Sequence, residues 1–300
     1  MSKDPVNSVS PEGELFPLPS AADYEAEYAR LETIVAGKRA QGMEIVVVMG
    51  VGFVGAVMAA VVADTVDRQS GKPAKFVIGM QRPSERSYWK IALLNRGISP
   101  VKAEDPEVDP MIRRCVLEKG TLMATYNPDV LKLADVVVVD VQCDYLKNDL
   151  GKLHTGRTEM EALEKSFHTI AERIPPDCLV LIETTVAPGT TEHVALPILA
   201  EKFRQRGLGG EPLLAHSYER VMPGREYVAS LRDFWRVCSG VNAESRRRVE
   251  KFLREVLNTE AFPLTVLDRP IESETCKIVE NSFRATLLAF MDEWSLFAEP

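Results

Sequence analysis

The sequence predicts an α/β fold, a doubly wound parallel sheet followed by a helical central segment. From Met43 onward, short runs of apolar and β-branched residues alternate with longer segments of helical periodicity. Runs that are apolar almost throughout are typical of parallel strands with helices on both faces. A glycine-rich turn separates the first run from the helix after it. The predicted strands are EIVVVM, KFVIGM, DVVVVDV and CLVLIETT.

The bulk composition narrows the class of protein. With 300 residues, 45% of them hydrophobic, the chain is long enough for one large domain or two smaller ones with packed cores. A formal net charge of -8 argues against nucleic acid and against an anionic membrane surface as partners. Five widely spaced cysteines without a C-x-x-C pair indicate neither a disulfide framework nor a metal site. We therefore expect a cytoplasmic protein without a bound metal.

The N-terminal part, residues 1–42, precedes the predicted sheet. Its first twenty residues are rich in Pro and Ser and have no apolar signal core, which predicts a disordered leader. From Ala21 to Ala40, charged and apolar residues recur at helical spacing, and Ser20 is a suitable N-cap. This part is therefore expected to be a leader followed by one helix.

The run from Ile45 to Ala63 contains no charge over nineteen residues, which is long enough to cross a bilayer as a helix. Its first residues are β-branched, its glycines fall at G-x-G-x-x-G spacing, and helix-compatible residues follow only after them. No dense Lys/Arg cluster flanks it. The run is therefore predicted to be a strand, a turn and a helix, not a membrane span.

A glycine turn between a strand and a helix brings backbone amides close to a pyrophosphate and directs the helix N-terminus at its charge. Gly50 would permit the tight turn, Gly52 the close approach and Gly55 the packing of helix on strand, while Phe53 and Val54 begin the helix. The turn predicts a dinucleotide site in a Rossmann-like domain. The alternative is a glycine-rich packing turn in another α/β fold.

The end of the second strand bears on the choice of dinucleotide. An acidic residue is expected there to hold the ribose 2'-hydroxyl. This sequence instead has Gln81 followed by Arg82, with Ser84 and Arg86 nearby. We favour NAD, whose ribose 2'-hydroxyl Gln81 could hydrogen-bond. NADP is the alternative, because Arg82 and Ser84 could bind its 2'-phosphate.

The remaining chain divides at the glycine-rich stretch RQRGLGGEP, so the cofactor domain is expected to span 43–215 and a helical central segment 216–300. A helical pattern from Ile271 to Glu299 has a broad apolar face. Such a face needs a partner, which would be another subunit or a further domain.

Three later segments resemble the nucleotide-sugar 6-dehydrogenase family, namely LIETTVAPGTTE, YERVMPGRE and ESETCKIVENSFRATLLAFMDEWSLFAE. Members oxidise UDP-glucose, UDP-N-acetylhexosamines or GDP-mannose to uronic acids, as in polysaccharide biosynthesis. The resemblance runs from about Met43 to the chain end. It implies an NAD-binding Rossmann domain, a central helix carrying dimer contacts and a second nucleotide-binding domain. We therefore expect a nucleotide-sugar substrate, NAD and a homodimer formed through helix 271–299.

Candidate catalytic residues come from the spacing and the resemblance together. Lys277 and Asn281 are four residues apart, so they project from one helix face and can converge on one substrate oxygen. An ammonium and an amide donor form a suitable clamp for a developing alkoxide. The resemblance implies this role for both, and for Glu219 a role with an ordered water. The alternatives to these catalytic roles are that Lys277 is an ordinary surface lysine and that Glu219 is a surface glutamate paired with Arg220. Arg225 is the candidate for binding a phosphate or the sugar.

Two departures from the family pattern matter. Where many members have a Thr-Pro pair after the fourth strand, this chain has Cys143 and Asp144. Cys143 lies at the carboxyl end of a strand, where ligands bind, and is therefore a cofactor candidate; the alternative is a small buried cysteine. Thr185, in the segment that follows the next strand, is a further cofactor candidate implied by the resemblance.

The second departure concerns the family's nucleophilic cysteine, which lies in a glycine-rich segment of the second domain. None of the five cysteines has that context. The chain is therefore expected to be the N-terminal portion of such an enzyme, able to bind cofactor without completing the four-electron oxidation that consumes two NAD. Two alternatives remain: a β-hydroxyacid dehydrogenase that uses Lys277 and Asn281, and a non-catalytic nucleotide-binding partner subunit.

Overall fold

The computed structural model describes residues 6–147, 156–222 and 224–299. Helices and strands alternate through most of this range. The strands are β1 (Asn7–Val9), β2 (Leu15–Pro17), β3 (Glu44–Met49), β4 (Lys75–Met80), β5 (Leu122–Thr125), β6 (Val136–Val139), β7 (Asp144–Lys147), β8 (Gly156–Glu159), β9 (Leu179–Ile182), β10 (Leu213–His216), β11 (Val237–Gly240) and β12 (Thr265–Val266). The α-helices are α1 (Ala21–Ala40), α2 (Phe53–Ala63), α3 (Tyr88–Asn95), α4 (Val108–Arg113), α5 (Glu161–Ala171), α6 (Leu196–Gln205), α7 (Tyr227–Arg232), α8 (Ala243–Val256) and α9 (Pro270–Ala298).

Eight strands form the central sheet in the order β12-β11-β10-β9-β6-β3-β4-β5. All neighbours pair in parallel except β10 and β11, which are antiparallel. The chain first runs outward from β3 through β4 to β5, and then returns to the other side of β3 with β6. This reversal leaves a crevice at the carboxyl ends of β3 and β6, where ligands of open α/β sheets bind. The predicted doubly wound fold is confirmed.

Helices cover both faces of this sheet. Val46 and Val48 face the core formed with α2, α4, α7 and α8, whereas Ile45 and Val47 face the core formed with α1, α5 and α6. Because successive side chains of a strand point to opposite faces, an all-apolar strand fills both cores at once. The uncharged run of residues 45–63 is thus β3, the turn and α2. No helix in the described part of the chain is both long enough and apolar enough to cross a membrane.

The predicted domain boundary at residue 215 is wrong in position. The glycine-rich loop near Leu208 connects α6 to β10 within one sheet, and the sheet then continues through β11 and β12. The sequence reading missed these strands because they are only two to four residues long. The helical part that remains after the sheet is α9.

The leader was predicted to be disordered, but the structure shows an ordered hairpin within residues 6–20. Residues 1–5 lie outside the described residues. Strands β1 and β2 form an antiparallel hairpin. Phe16 is buried, and the Arg96 guanidinium lies 5.2 Å from the centre of its ring. The Ser8 hydroxyl donates a hydrogen bond to the Glu85 carbonyl at 2.7 Å. The hairpin is held by packing on α3, which local composition does not reveal.

Helices α1 and α9 match their predicted positions closely. α1 begins after Ser20 and buries Leu31 and Val35 on the sheet. α9 buries only its first turns, and beyond Lys277 its apolar side chains are exposed. The exposed apolar residues of α9 are Ile278, Val279, Phe283, Leu287, Leu288, Phe290, Met291, Trp294, Leu296 and Phe297.

Candidate active site and cofactor site

The turn between β3 and α2 requires glycine at two positions for reasons internal to the protein. Gly50 has a φ of +106°, and a Cβ there would lie 2.6 Å from the Asp140 carbonyl oxygen. A Cβ on Gly55 would lie 1.8 Å from the Gly50 carbonyl oxygen. The turn and the contact between α2 and the strand ends therefore exclude any side chain at these positions.

Gly52 differs from both, because a Cβ at this position would meet no atom within 4 Å. It is the N-cap of α2, so the free amides of the first helical turn, which begins at Phe53 and Val54, lie beside this open space. A glycine that the fold does not need, at a helix N-terminus, fits the close approach of a pyrophosphate. This part of the structure therefore suits a dinucleotide.

A cavity of about 470 Å³ extends from the glycine turn along the carboxyl ends of the strands. Apolar and aromatic side chains form most of its surface, and polar side chains, including the cations Arg82, Lys165 and Arg173, also line it. Its lining residues are Tyr24, Met49, Gly50, Met80, Gln81, Arg82, Pro83, Tyr126, Pro128, Val141, Ala162, Lys165, Ser166, Thr169 and Arg173.

Gln81 lies between this cavity and the glycine turn. Its Oε1 accepts a hydrogen bond from the Val51 backbone N–H at 3.1 Å. The side chain thus holds the turn in place, a role that the sequence reading missed, and its predicted contact with a cofactor hydroxyl stays a prediction. Arg82 follows at the mouth of the cavity, where it is exposed.

The other two cofactor candidates lie in the same region but outside the lining of the cavity. Cys143 is half-buried, and its Sγ lies 3.6 Å from the Met160 Sδ and 3.7 Å from the Glu159 carbonyl oxygen. Burial, and then Asp144, raise the pKa of this thiol. Thr185 follows β9 and is half-buried. Both lie near the carboxyl edge of the sheet, and their contact with a cofactor stays a prediction.

The structure brings Lys277 and Glu219 together. The Lys277 Nζ donates to the Glu219 carbonyl at 2.7 Å and lies 3.3 Å from its carboxylate Oε2. Lys277 is 6% exposed. Burial lowers the pKa of its ammonium, and the negative charge of Glu219 opposes this shift. The pair consists of a buried amine and a half-buried carboxylate at the edge of the sheet where ligands bind.

Asn281 and Arg225 form no hydrogen bond or ion pair with Lys277 or Glu219 among the described residues. Asn281 lies one helical turn beyond Lys277 on α9 and is exposed. Arg225 is exposed in the turn that precedes α7. Both side chains are accessible to a ligand, and neither forms a hydrogen bond or ion pair with the residues that the structure describes.

The sequence reading missed a buried cluster beneath Lys277 and Glu219. The Arg236 Nη2 lies 2.8 Å from the Glu183 Oε1, and both side chains are almost fully buried. The Arg236 Nη1 also donates to the carbonyl of Tyr218, the residue before Glu219. Arg236 therefore fixes the backbone that presents Glu219.

Asp140 adds a third carboxylate to Glu183 and Glu219. Its Oδ2 is buried and has no hydrogen-bond partner among the described residues. Burial, followed by the charges of Glu183 and Glu219, raises the pKa of Asp140 well above its ordinary value. The sequence does contain a signal for these two carboxylates. Asp140 and Glu183 each come directly after an apolar strand, VVVV and LVLI, at the end of the strand where ligands bind.

The glycine turn and the Lys277–Glu219 pair belong to one continuous edge. A Cβ on Gly55 would lie 3.2 Å from the Asp140 Cβ, so Asp140 borders both the turn and the buried cluster. The Tyr227 hydroxyl donates to the Phe53 carbonyl at 2.6 Å, and the two rings stack with their centroids 5.0 Å apart. A cofactor in the turn and a substrate at Lys277 would therefore be neighbours.

Two of the segments that carry the family resemblance meet at Glu274. This buried α9 carboxylate accepts hydrogen bonds from the backbone N–H groups of Gly189 at 2.5 Å and Thr191 at 2.8 Å. It also accepts one from the Thr191 hydroxyl at 2.6 Å. The contact anchors α9 to the loop after β9 and so positions Lys277.

The raised pKa of Asp140 predicts a pH-dependent stability. An acid with a higher pKa in the folded than in the unfolded state binds more protons when folded, so its contribution is full below its ordinary pKa and is lost as the pH rises. We expect Asp140→Asn to gain stability relative to wild type as the pH rises above about 4. Urea unfolding of both proteins across this range would test this, and parallel pH profiles would contradict it.

Comparison with known proteins agrees with this geometry. Residues 43–258 match the model of the UDP-glucose/GDP-mannose dehydrogenase family, NAD binding domain. The chain belongs to this family. The matched model is that of the family's NAD binding domain, so the cofactor is NAD, and the match favours this family over the β-hydroxyacid dehydrogenases.

Similar proteins agree with the family assignment. A UDP-N-acetyl-D-mannosamine dehydrogenase of Pyrococcus horikoshii is 30% identical over 253 residues, 84% of this chain and 53% of the relative. The crystal structure of an NDP-N-acetyl-D-galactosaminuronic acid dehydrogenase from Methanosarcina mazei superposes with a TM-score of 0.71 at 29% identity, covering 90% of this chain and 53% of that one. The chain thus spans about half the length of these relatives. A GDP-mannose dehydrogenase of Pseudomonas aeruginosa shares the fold, with a TM-score of 0.67 at 21% identity, over 83% of this chain and 51% of that one.

Proposed function

We propose that this chain takes part in the NAD-dependent oxidation of a nucleotide sugar at C6 to the uronic acid. The observation that carries the proposal is the pair of buried Lys277 with Glu219, in which the Lys277 Nζ lies 2.7 Å from the Glu219 carbonyl oxygen, on the same edge as the glycine turn. The names of the similar dehydrogenases support a nucleotide-sugar substrate.

The proposed chemistry assigns each residue a distinct task. Conversion of a C6 alcohol to a carboxylate releases two hydrides, one to each of two NAD, and takes its second oxygen from water. Lys277 and Asn281 would stabilise the negative oxygen that develops at C6. Glu219 would orient the attacking water, and Arg225 would bind the phosphate or the sugar.

The family resemblance implies that a nucleophilic thiol captures the aldehyde between the two oxidation steps. Burial raises the pKa of both Cys115 and Cys238 to about 12 and raises that of Cys178 further, which makes them poor nucleophiles at neutral pH. Cys276 neighbours Lys277 in sequence, but burial raises the pKa of its thiol too. We propose that another segment or another chain contributes the thiol.

A chimera tests this function. Residues 43–299 would replace the corresponding part of the Pyrococcus horikoshii relative, and NADH formation would be followed with UDP-N-acetyl-D-mannosamine and other nucleotide sugars. We expect turnover by the chimera and a loss of at least about 100-fold with Lys277→Met, because the oxyanion loses its charged donor. The matched control is Lys251→Met, a surface lysine on α8 that is remote from the pair. A chimera that binds NAD but oxidises no nucleotide sugar would contradict the proposal.

We also propose that α9 forms a homodimer. Its apolar side chains beyond Lys277 are exposed, for example Phe283 at 65% and Phe297 at 81%. A contiguous apolar surface of this kind is typical of an interface.

We propose the cytoplasm as the compartment of this protein. The five cysteines are unpaired, which supports a reducing environment.

The dimer is testable by light scattering after size-exclusion chromatography. We expect wild type to elute as a dimer and Leu287→Glu as a monomer, because the interface would then bury an unpaired charge. Ile98→Glu is the matched control, since Ile98 is 49% and Leu287 48% exposed but Ile98 lies far from α9 in the fold. A wild-type monomer at high concentration would contradict the proposal.

A further inference from the structure

The cavity beside the glycine turn has one wall that does not come from the βα units of the sheet. This wall is formed by Tyr24, in the first turn of α1, together with Tyr126, which follows β5. The two rings meet edge to face with their centroids 5.1 Å apart. A helix that precedes the first strand of the sheet thus reaches the site of the cofactor.

Three hydrogen bonds fasten this end of α1 to the end of β5. The Tyr126 hydroxyl donates to the Asp23 carbonyl at 3.1 Å, and the Asn127 amide Nδ2 donates to the Tyr24 carbonyl at 2.7 Å. The Thr125 hydroxyl donates to the Glu27 Oε1 at 2.8 Å. These bonds fix the position of Tyr24 relative to the sheet, so its ring is a preformed part of the cavity.

The opposite side of the cavity is chemically suited to an adenine nucleoside. Ala162, Ser166 and Thr169 of α5 supply small side chains, and Gln81 supplies an amide beside the glycine turn. Adenine is a flat ring with apolar faces and a polar edge, so the aromatic walls can pack on its faces while the polar and cationic side chains of the lining, Lys165 and Arg173 among them, can meet its edge or the ribose.

The position of the cavity distinguishes the adenosine half of the cofactor from the reacting half. The cavity borders the ends of β3, β4 and β5, and on the side of β6 it includes only Val141 and residues of α5. Glu219, which contacts Lys277 of α9, follows β10, and β10 lies on the other side of the glycine turn. A dinucleotide whose pyrophosphate lies at the turn therefore has its adenosine at the cavity and its nicotinamide toward the pair.

We infer that α1 is part of the cofactor site and that Tyr24 contacts the adenine ring of NAD. The inference rests on the assignment of NAD to this family and goes beyond it, because the matched family region begins at residue 43, after α1. Helix α1 therefore contributes to cofactor affinity in addition to covering the sheet.

Calorimetric titration with ADP-ribose tests the inference, since this ligand keeps the adenosine half and lacks nicotinamide. We expect Tyr24→Ala to weaken binding about 10-fold, as for the loss of one aromatic contact to a base, and Tyr24→Phe to restore it. Tyr28→Ala is the matched control, because Tyr28 lies one turn further along α1 and does not line the cavity. Wild-type affinity in a folded Tyr24→Ala variant would overturn the inference.

A second variant covers the case in which Tyr24→Ala destabilises α1. We expect the fluorescence of Tyr24→Trp to change as ADP-ribose binds, beyond the change seen in the titrated wild type. Binding that calorimetry detects without any additional fluorescence change would overturn the contact. Failure of the wild type to bind either ADP-ribose or NAD would instead contradict the cofactor assignment, together with this inference.

Discussion

Gly52→Asp is expected to weaken NAD binding by at least about 100-fold while the melting temperature stays close to that of wild type. A carboxylate at this position would face the pyrophosphate at short distance, and like charges a few ångströms apart repel by several kcal/mol at a protein surface. The fold itself has room, because a Cβ on Gly52 meets no atom within 4 Å. Asp is also a favoured N-cap, and Gly52 is the N-cap of α2.

The neighbouring glycine provides the opposite control. Gly55→Ala adds only a methyl group, but this group would lie 1.8 Å from the Gly50 carbonyl oxygen. We expect Gly55→Ala to lower the melting temperature clearly, and to lose NAD binding only as a consequence of the displaced turn. Isothermal titration together with thermal unfolding separates the two effects. Near-normal NAD affinity in Gly52→Asp would contradict binding at this turn.

Arg236→Met is expected to destabilise the protein by about 3–5 kcal/mol, the cost of leaving a buried charge without its partner. Arg236 is the cation that pairs with Glu183, at 2.8 Å, and its removal leaves Glu183 and Asp140 without compensation. The carbonyl of Tyr218 would lose its donor as well. The backbone that presents Glu219 to Lys277 would then be less well fixed.

A matched surface pair shows whether this effect comes from burial. Arg204 pairs with Glu201 on α6, and its side chain is 76% exposed. We expect Arg204→Met to change the free energy of unfolding by less than about 1 kcal/mol, as is typical of exposed pairs. The double variant Glu183→Met with Arg236→Met should recover part of the loss, because it leaves no buried charge from this pair. Equal unfolding curves for Arg236→Met and Arg204→Met would contradict the structural role of the cluster.

The features that could be read from the sequence are those with a local cause. The glycine turn, α1, α9 and four strands each depend on residues close together in the chain, such as the β-branched run before Gly50. The same holds for the spacing of Lys277 and Asn281 on one helix. The proximity of Lys277 to Glu219 was expected only from the family resemblance, since 58 residues separate the two in the chain.

The features that escaped prediction depend on tertiary contacts. The hairpin of β1 and β2 is held by α3, and β11 joins the sheet only because β10 offers an unpaired edge. Arg236 and Glu183 are 53 residues apart, so nothing local marks them as partners. Asp140 and Glu183 were placed inside the predicted strands DVVVVDV and CLVLIETT, whereas each directly follows its strand and lies at the carboxyl edge of the sheet, in the candidate site.

The measurement that tests the central claim most directly is calorimetric titration of the folded chain with NAD, beside a separate titration with NADP. The glycine turn, the space at Gly52 and the adjoining cavity predict saturable binding of one NAD per chain, with NADP weaker. A chain shown to be folded by its cooperative unfolding that binds neither dinucleotide would contradict the assignment of this edge of the sheet as a cofactor site.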